Sequence, residues 1–424
     1  MAPRISRRRF IQTTAGAAGA LALGGADRLL SAAPSLPSPK SSGIDHLVVV
    51  MMENRSFDHM MGWVPGADGR QAGLTYTDEF GTEFATYPLA PDFQGCGHPD
   101  PDHSYEGGRV QLNNGACDGW LRAGDSDEYA IGYYTEADLQ FFAGAARDWT
   151  ICDRYFSSIL GPTFPNRFYS HCAQTDRITN SFELSTLPTI WDRLAARRVS
   201  AAYYFSDVPF LAFWGTKYQP ISHRISTFYE ACRVGKLPAV SYVEPRFLGE
   251  DNGLSNDDHP HADLRNGQAF QNSIYEAVAS SKAWRNTMIV FQYDEWGGFF
   301  DHVPPGVAPT SEIDRAAGNL DGLRGFRVPA IIVAPFARRG YVDHTVFDHT
   351  SVLRFIEWRW KLDPLTERDA TAANLAEALD FSNRSLDASA YVVDPAPEPT
   401  ICAPFEVDKW EQMRNIAALY GFFD

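Results

Sequence analysis

Apolar residues along the chain fall into two kinds of pattern, continuous runs and runs with helical spacing. The continuous runs are residues 44–52, 199–205, 239–243, 287–293 and 328–334. Runs of this kind are typical of strands that are buried on both faces of a parallel sheet. The segments with helical spacing lie between them and are residues 136–147, 188–198, 267–284 and 351–361. Strands that alternate with helices predict an α/β protein, a three-layer sandwich with a mostly parallel central sheet.

One long segment has neither pattern. Residues 64–130 are rich in Gly, Asp, Tyr and Pro without a clear period, and the chain shows no internal repeat. Long irregular segments in a compact domain tend to be binding loops or lids. We therefore expect a single domain over residues 43–424, with long loop excursions from the sheet.

The N-terminus has the pattern of an export signal. Paired arginines in residues 6–12 (SRRRFIQ) precede a weakly apolar run at 15–23, as in a twin-arginine signal. The run is shorter than the roughly 20 apolar residues that span a bilayer. We expect a signal peptide over 1–33, a flexible linker over 34–42, transport by the twin-arginine export machinery, and a periplasmic or secreted protein. The alternative for the first segment is a disordered basic tail.

Composition and charge limit the classes of partner. The chain has 424 residues, of which 44% are hydrophobic and 13% aromatic, and this is the profile of a globular protein. Its net charge is −16, and the rest of the chain is more acidic still because the first 33 residues are basic. Such a surface repels a phosphate backbone at long range, so we exclude nucleic acid as a partner.

Six cysteines are candidates for disulfides, because export by this route leads to an oxidising compartment. None of them forms a Cys-x-x-Cys pair, so a zinc ribbon is not expected. The short-range pairs Cys96–Cys117 and Cys152–Cys172 are the expected disulfides.

Polar pairs follow two of the predicted strands without a gap. Glu53 and Asn54 follow the first strand, and Asp294 and Glu295 follow the strand at 287–293. Ligands of open parallel sheets bind outside the carboxyl ends of the strands. Carboxylate and amide oxygens are the ligands of hard cations, so the pairs predict a metal site. The alternative is that each pair caps a helix or a turn.

A third segment places a hydroxyl in a turn shaped by Gly and Pro. In residues 161–167 (GPTFPNR), Thr163 precedes a helical run, and Pro165 suits a first helical turn. A hydroxyl at that position, beside a cation, would be an effective nucleophile. The alternative is that Thr163 is an ordinary helix cap.

Four motifs together resemble a known family. They are HLVVVMMENRSFDHMMG at 46–62, GPTFPNR at 161–167, DDHP at 257–260 and YDEWGGFFDHVPP at 293–305. In this order they are similar to the bacterial phosphoesterase family of nonhaemolytic-type phospholipases C and acid phosphatases, and the likeness extends from residue 44 to about residue 362. The resemblance implies an alkaline-phosphatase-like core, one divalent metal ion and a phosphorylated hydroxyl intermediate.

The resemblance also assigns roles to individual residues. It implies a set of metal ligands, which are Glu53, Asn54, Asp294, Glu295 and the nucleophile Thr163. It matches Asn166 to a ligand of a phosphate oxygen, and it matches His103 and His259 to histidines that line the phosphate pocket.

Two further residues are candidates for substrate binding. His302 follows the second metal pair in FDHV and could approach the pocket, although a satisfied turn histidine is the alternative. Trp296, with Phe299 and Phe300, could form a wall for an apolar substrate, although such rings are more often core.

These features predict a phospholipase C that cleaves phosphatidylcholine-type lipids through a phosphothreonine intermediate, with His259 or His103 protonating the leaving oxygen. Thr163 stands where acid-phosphatase members carry Ser, and this favours the phospholipase branch. We expect one divalent cation (Ca²⁺, Mg²⁺, Mn²⁺ or Zn²⁺), a phospholipid or small phosphate ester as substrate, and transient contact with a membrane surface.

Three other functions are alternatives to this one. An acid phosphatase acting on phosphomonoesters is the nearest alternative, and a catalytically inactive surface-binding protein is the alternative of another class. A sulfatase is disfavoured, because no Cys/Ser-x-Pro-x-Arg motif surrounds Thr163.

Overall fold

The structure, a computed structural model, describes residues 36–398, 400–402 and 409–423. The predicted signal peptide over 1–33 lies outside these residues. The described part of the predicted linker contains a short 3-10 helix, Pro39–Ser41, and Leu36 packs partly against the hydrophobic core. Within the described ranges, no helix is long and apolar enough to cross a membrane.

Eight strands form the central sheet. In chain order they are β1 (His46–Met52), β2 (Thr150–Cys152), β3 (Ala201–Phe205), β4 (Ser222–Arg224), β5 (Val240–Val243), β6 (Thr287–Tyr293), β7 (Ala330–Val333) and β8 (Tyr341–Asp343). Their order in the sheet is β8-β2-β7-β6-β1-β5-β3-β4. Neighbouring strands run parallel except that β7 is antiparallel to both β6 and β2. The predicted mostly parallel sheet is confirmed.

Strand β1 lies between β5 and β6 near the middle of this sheet. Its Val49 is in register with Tyr242 of β5 and with Val290 of β6. Every side chain from Leu47 to Met52 is buried. Since successive side chains of a strand point to opposite faces, both faces of the sheet are covered here. This explains why the run is apolar throughout.

Eleven α-helices accompany the sheet in the described chain. They are α1 (Phe57–Met61), α2 (Tyr105–Leu112), α3 (Gln140–Asp148), α4 (Thr163–Cys172), α5 (Ile190–Ala196), α6 (Ile225–Val234), α7 (Leu264–Ala279), α8 (Glu312–Ala316), α9 (His349–Trp360), α10 (Glu367–Ala370) and α11 (Lys409–Leu419). Helices α4, α5, α9 and α10 form one packed group, and α3, α6 and α7 form another. Two separate helix groups and one sheet agree with the predicted three-layer α/β sandwich.

All five predicted strands and all four predicted helices are present, with ends that shift by a few residues. The strands that the apolar pattern missed are β2, β4 and β8, which have only three residues each. A run of three residues is too short to show a period. Residues 64–130 contain one short hairpin, Thr75–Thr77 with Glu83–Ala85, and helix α2, and are otherwise largely irregular.

The predicted disulfides are wrong. Cys96 is bonded to Cys402, 306 residues away, while Cys117, Cys152 and Cys172 are free and buried, as is Cys232. Cys152 lies in the interior strand β2 and Cys172 at the end of α4, so core packing accounts for both. Proximity along the chain misled the prediction because the partner of Cys96 comes from the C-terminal segment.

Removal of this disulfide should destabilise the protein by about 2–5 kcal/mol, because the bond restricts a very long loop of the unfolded chain. We expect Cys96→Ser, Cys402→Ser and the double variant to lose the same free energy of unfolding in urea titrations. Either single change already breaks the bond, so a double variant that loses the sum of the two single effects would contradict the pairing.

Candidate active site

The two predicted metal pairs meet where β1 and β6 end. The Asn54 amide donates to Asp294 Oδ1 at 3.2 Å, and the Arg55 amide donates to the Glu295 carbonyl at 3.0 Å. Asn54 has a left-handed backbone, with φ at 59°, a conformation that Asn tolerates better than most residues. The sharp turn after β1 therefore joins Glu53 and Asn54 to the second pair.

A glycine makes this close approach feasible. Gly297 has φ at +64°, and a Cβ on it would lie 2.1 Å from the Asn54 carbonyl oxygen. Any side chain here would push the two strand ends apart. Close backbone packing beside the site therefore explains Gly297, the first glycine of the YDEWGG motif.

Thr163 is the first residue of α4, after Pro162. The next backbone amide, that of Phe164, donates to the Asn180 side chain at 2.8 Å, which anchors the start of the helix. Thr163 is fully buried, and its hydroxyl oxygen has no hydrogen-bond partner. Because it makes no capping bond, the simple helix-cap interpretation does not explain this side chain.

Four of the five predicted ligands carry a buried oxygen without a hydrogen-bond partner. These atoms are both carboxylate oxygens of Glu53, Asn54 Oδ1, Thr163 Oγ1 and Glu295 Oε1. Unpartnered buried polar atoms are costly and rare in native proteins. Asp294 differs, because its carboxylate accepts from the Asn54 and Glu295 amides and from Arg167. An oxygen-lined group of this kind fits a hard divalent cation.

The charge of the site supports the same conclusion. Its buried carboxylates are Glu53, Glu244, Glu250, Asp257, Asp294 and Glu295. Burial raises the pKa of Glu250, Asp257 and Glu295 well above the ordinary range, and neighbouring carboxylates add to it. Burial also raises the pKa of Asp294 to about 7, against the lowering effect of Arg167. Carboxylates crowded in this way require a cation to stay ionised.

One buried guanidinium holds the strand ends to α4. Arg167 Nε donates to Asp294 Oδ2 at 2.9 Å, and Nη1 donates to Glu244 Oε2 at 2.5 Å. Its Nε also lies 3.6 Å from Glu53 Oε1. Arg167 is one helical turn after Thr163, so this network sets the position of the hydroxyl relative to both metal pairs.

His103 and His259 lie together beside the metal pairs, with ring centroids 5.9 Å apart. His103 Nδ1 is 2.8 Å from the Pro101 carbonyl oxygen, and Nε2 is 3.3 Å from the Asn54 side-chain nitrogen. This contact leaves Asn54 Oδ1 as the oxygen that is available for a cation. His259 is buried, and burial holds its pKa well below the ordinary value.

A cleft of about 340 Å³ leads to these residues. It is lined by Asp100, Pro101, Asp102, His103, Ser104, Tyr105, Glu106, Pro162, Ile178, Thr179 and Asn180. His103 and the residue before Thr163 thus share one opening. Thr163 itself is fully buried and adjoins this opening through Pro162.

The contacts of the three predicted substrate-binding residues, Asn166, Trp296 and His302, are as follows. Asn166 Oδ1 accepts from the Ser158 and Ile159 amides, and its amide group donates to carbonyls of the turn before Thr163. Trp296 is fully buried and donates to Gln111 at 2.8 Å. Asn166 therefore supports the turn before Thr163, and Trp296 packs in a hydrophobic cluster.

His302 belongs to a second buried network. Its Nδ1 contacts Asp58 Oδ2 at 2.5 Å and its Nε2 contacts Asp68 Oδ1 at 3.1 Å. Arg327 bridges Asp58 and Asp301 in the same network, at 3.0 and 2.9 Å. The described contacts of His302 are thus with this network and not with the metal pairs.

Sequence reasoning did not assign roles to several residues of the site. Arg167 and Asp257 lie inside recognised motifs. Their closeness along the chain to Thr163 and His259 could have identified them as residues of the site. Glu250 lies in a loop between Gly249 and Gly253, where only the acidic pair Glu250-Asp251 could have drawn notice. Asp100, three residues before His103, carries a similar weak signal.

The His302 network predicts a pH-dependent stability. Although burial opposes it, the hydrogen bond that the His302 ring donates to Asp58 raises the pKa of His302 above 6.5. A raised histidine pKa stabilises the fold fully below about pH 6.5, and this stability is lost as pH rises through the folded pKa. We expect the stability difference between wild type and His302→Gln to shrink from pH 6 to pH 9 in urea titrations.

The control for that series is His46→Gln, since the His46 ring hydrogen-bonds a backbone carbonyl at 2.9 Å. A stability difference for His302→Gln that stays constant or grows with pH would contradict the assignment.

The chain is similar to known proteins over most of its length. The model of the Phosphoesterase family matches residues 44–363. Non-specific phospholipase C6 of Arabidopsis thaliana is 29% identical, covering 80% of this chain and 72% of that protein. Phospholipase C A of Mycobacterium tuberculosis is 28% identical, covering 89% and 86%.

Among solved structures, a protein in the alkaline phosphatase superfamily from Vibrio parahaemolyticus matches with a TM-score of 0.38 and 10% identity, covering 91% of this chain and 89% of that one. The family match spans most of the chain and includes both metal pairs, Thr163, Arg167 and both histidines. The chain therefore belongs to the phosphoesterase family and is a hydrolase of phosphoric ester bonds.

Proposed function

We propose that this hydrolase is a phospholipase C that uses Thr163 as its nucleophile and acts on phosphatidylcholine-type lipids. The observation that carries the proposal is the unpartnered, buried Thr163 hydroxyl at the start of α4. Arg167 of the same helix lies beside Glu53 of one oxygen pair and bonds Asp294 of the other. The phospholipase names of the relatives support the substrate class.

One divalent cation would be held by Glu53, Asn54, Thr163, Asp294 and Glu295, because these residues supply the unpartnered and carboxylate oxygens. When bound, it would supply Lewis-acid stabilisation of phosphoryl oxygen charge and would favour ionisation of the Thr163 hydroxyl. All these donors are oxygens, which suits Ca²⁺, Mg²⁺ or Mn²⁺ and admits Zn²⁺.

The Thr163 oxygen attacks phosphorus, and the bond from phosphorus to the diacylglycerol oxygen breaks. The leaving oxygen takes up a proton and departs as the alcohol. Water then attacks the same phosphorus, the bond to Thr163 breaks, and phosphocholine leaves while Thr163 regains its proton. Asn166 holds the turn that fixes Thr163 through both steps.

The proton donor to the leaving oxygen is better assigned to His103 than to His259. His103 lines the cleft and remains 12% exposed, so it can exchange protons with solvent. Burial lowers the pKa of His259 well below the ordinary value and keeps its ring neutral, which suits it to accept a hydrogen bond.

The charge of the cleft favours a choline ester over a phosphomonoester. Asp100, Asp102 and Glu106 are among the lining residues, while Arg167 is fully engaged by carboxylates below them. Carboxylates attract a quaternary ammonium group and repel a phosphate dianion. Trp296, Phe299 and Phe300 are fully buried, so they do not form the expected aromatic wall. The carboxylates of the cleft are therefore the groups that we propose bind the choline.

We also propose twin-arginine export and a periplasmic or secreted location, with transient contact with a membrane surface during lipid cleavage. The twin-arginine pattern of residues 6–12 and the Cys96–Cys402 disulfide support the oxidising compartment.

The nucleophile is tested by two substitutions at one position. Thr163→Ala should reduce kcat on the order of a thousandfold or more, whereas Thr163→Ser should keep a measurable fraction because its hydroxyl remains. Thr179→Ala, which removes a hydroxyl from the cleft lining, is the matched control. Mass spectrometry of acid-quenched wild-type enzyme should find the covalent adduct on Thr163. Near wild-type turnover by Thr163→Ala would rule out the nucleophile assignment.

The substrate class is tested by comparing nitrophenyl phosphorylcholine with nitrophenyl phosphate on one preparation, with and without chelator. We expect a higher kcat/KM for the choline ester, loss of both activities with chelator, and a selective loss of the choline ester activity in Glu106→Gln. A tenfold preference for the monoester, about 1.4 kcal/mol of transition-state binding, would replace the phospholipase assignment with an acid phosphatase.

A further inference from the structure

A second group of possible ligands lies directly beside the proposed metal position. Atoms of Glu53, Glu250 and His259 lie within 4.8 Å of one another, and all three residues are buried. Glu53 belongs to the metal set already described, and both of its carboxylate oxygens lack a hydrogen-bond partner. Two carboxylates this close repel each other unless a proton or a cation lies between them.

The C-terminal helix α11 supplies a cation to this group. Lys409, its first residue, places its ammonium 2.8 Å from Glu250 Oε1. The Lys409 side chain is only 17% exposed. An ammonium with an ordinary pKa near 10 stays charged at neutral pH, and carboxylate neighbours favour that form.

The next residue fixes the same carboxylate from its other side. The Trp410 indole donates to Glu250 Oε2 at 2.7 Å. Its ring stacks on Phe247 at 4.0 Å, and Phe247 in turn lies 4.7 Å from the Arg167 guanidinium. Trp410 also contacts Phe164, the residue after the nucleophile, at 5.4 Å. The start of α11 is therefore packed into the site.

We propose that the Lys409 ammonium fills a second cation position, formed by Glu53, Glu250 and His259, so that the site binds one divalent ion and not two. This rests on the proposed function only in assuming that a divalent ion binds at the first position. Lys409 acts through Glu250 and is a positioning residue: with Glu250 neutralised, Glu53 remains free for the divalent ion.

The test counts bound Mn²⁺ in the full chain by electron paramagnetic resonance. Wild type and Lys409→Arg should bind one Mn²⁺, and Lys409→Met should bind two, with the spectral broadening of a close Mn²⁺ pair. Adding Glu250→Gln to Lys409→Met should return the count to one. Lys217→Met removes a surface ion pair of 2.9 Å with Asp192 and is the control, with one Mn²⁺ expected.

Two Mn²⁺ ions in wild type, or one in Lys409→Met, would overturn the proposal. If Lys409→Met does not fold in the absence of metal, refolding at increasing Mn²⁺ decides the question. Recovery that depends on Mn²⁺ supports the second position, and no recovery at saturation overturns it. The proposed function fails separately, through a wild type that binds no Mn²⁺ and shows no chelator-sensitive turnover.

Discussion

The buried guanidinium of Arg167 is the interaction on which the site depends. It binds Asp294 and Glu244, lies near Glu53, and sits one turn after Thr163. The carboxylates follow three different strands, β1, β5 and β6, so one side chain from α4 ties the helix layer to three strand ends. Breaking such a buried network by removing one partner costs about 3–5 kcal/mol, because it leaves uncompensated charge. Position and charge compensation are therefore provided by the same group.

This network still leaves the site with excess negative charge. Arg167 and Lys409 form ion pairs with the buried carboxylates, yet those carboxylates number six and several retain unpartnered oxygens. Apolar residues at these positions would cost less free energy of folding, so a functional role explains the buried carboxylates better than stability does. The left-handed backbone of Asn54 and the glycine at 297 are further local costs at the same place. The proposed cation would relieve the electrostatic part of this cost.

The sequence predicted those features that depend on neighbours along the chain. The apolar runs located β1 and β6, and the polar pairs directly after them lie together because parallel strands end at one edge. The pairing of Cys96 with Cys402 and the contact of Lys409 with Glu250 join segments with no shared period or motif. Such contacts are set by how loops return to the core, and no local pattern records them.

Motif membership alone does not specify what each side chain contacts, for a physical reason. Residues 53–54 and 294–295 supply the oxygen pairs of the site, whereas Asp58 and Asp301, a few residues further along the same two motifs, bind Arg327 in the second network. Each motif thus contributes once to the site and once to a buried ion network that holds the two loops together. His302 belongs to that network, Trp296 packs in a hydrophobic cluster, and Asn166 supports the turn before Thr163. A residue in a recognised motif can either orient the reacting groups or touch the substrate. The motif does not distinguish these two roles, and only the contacts of the side chain do.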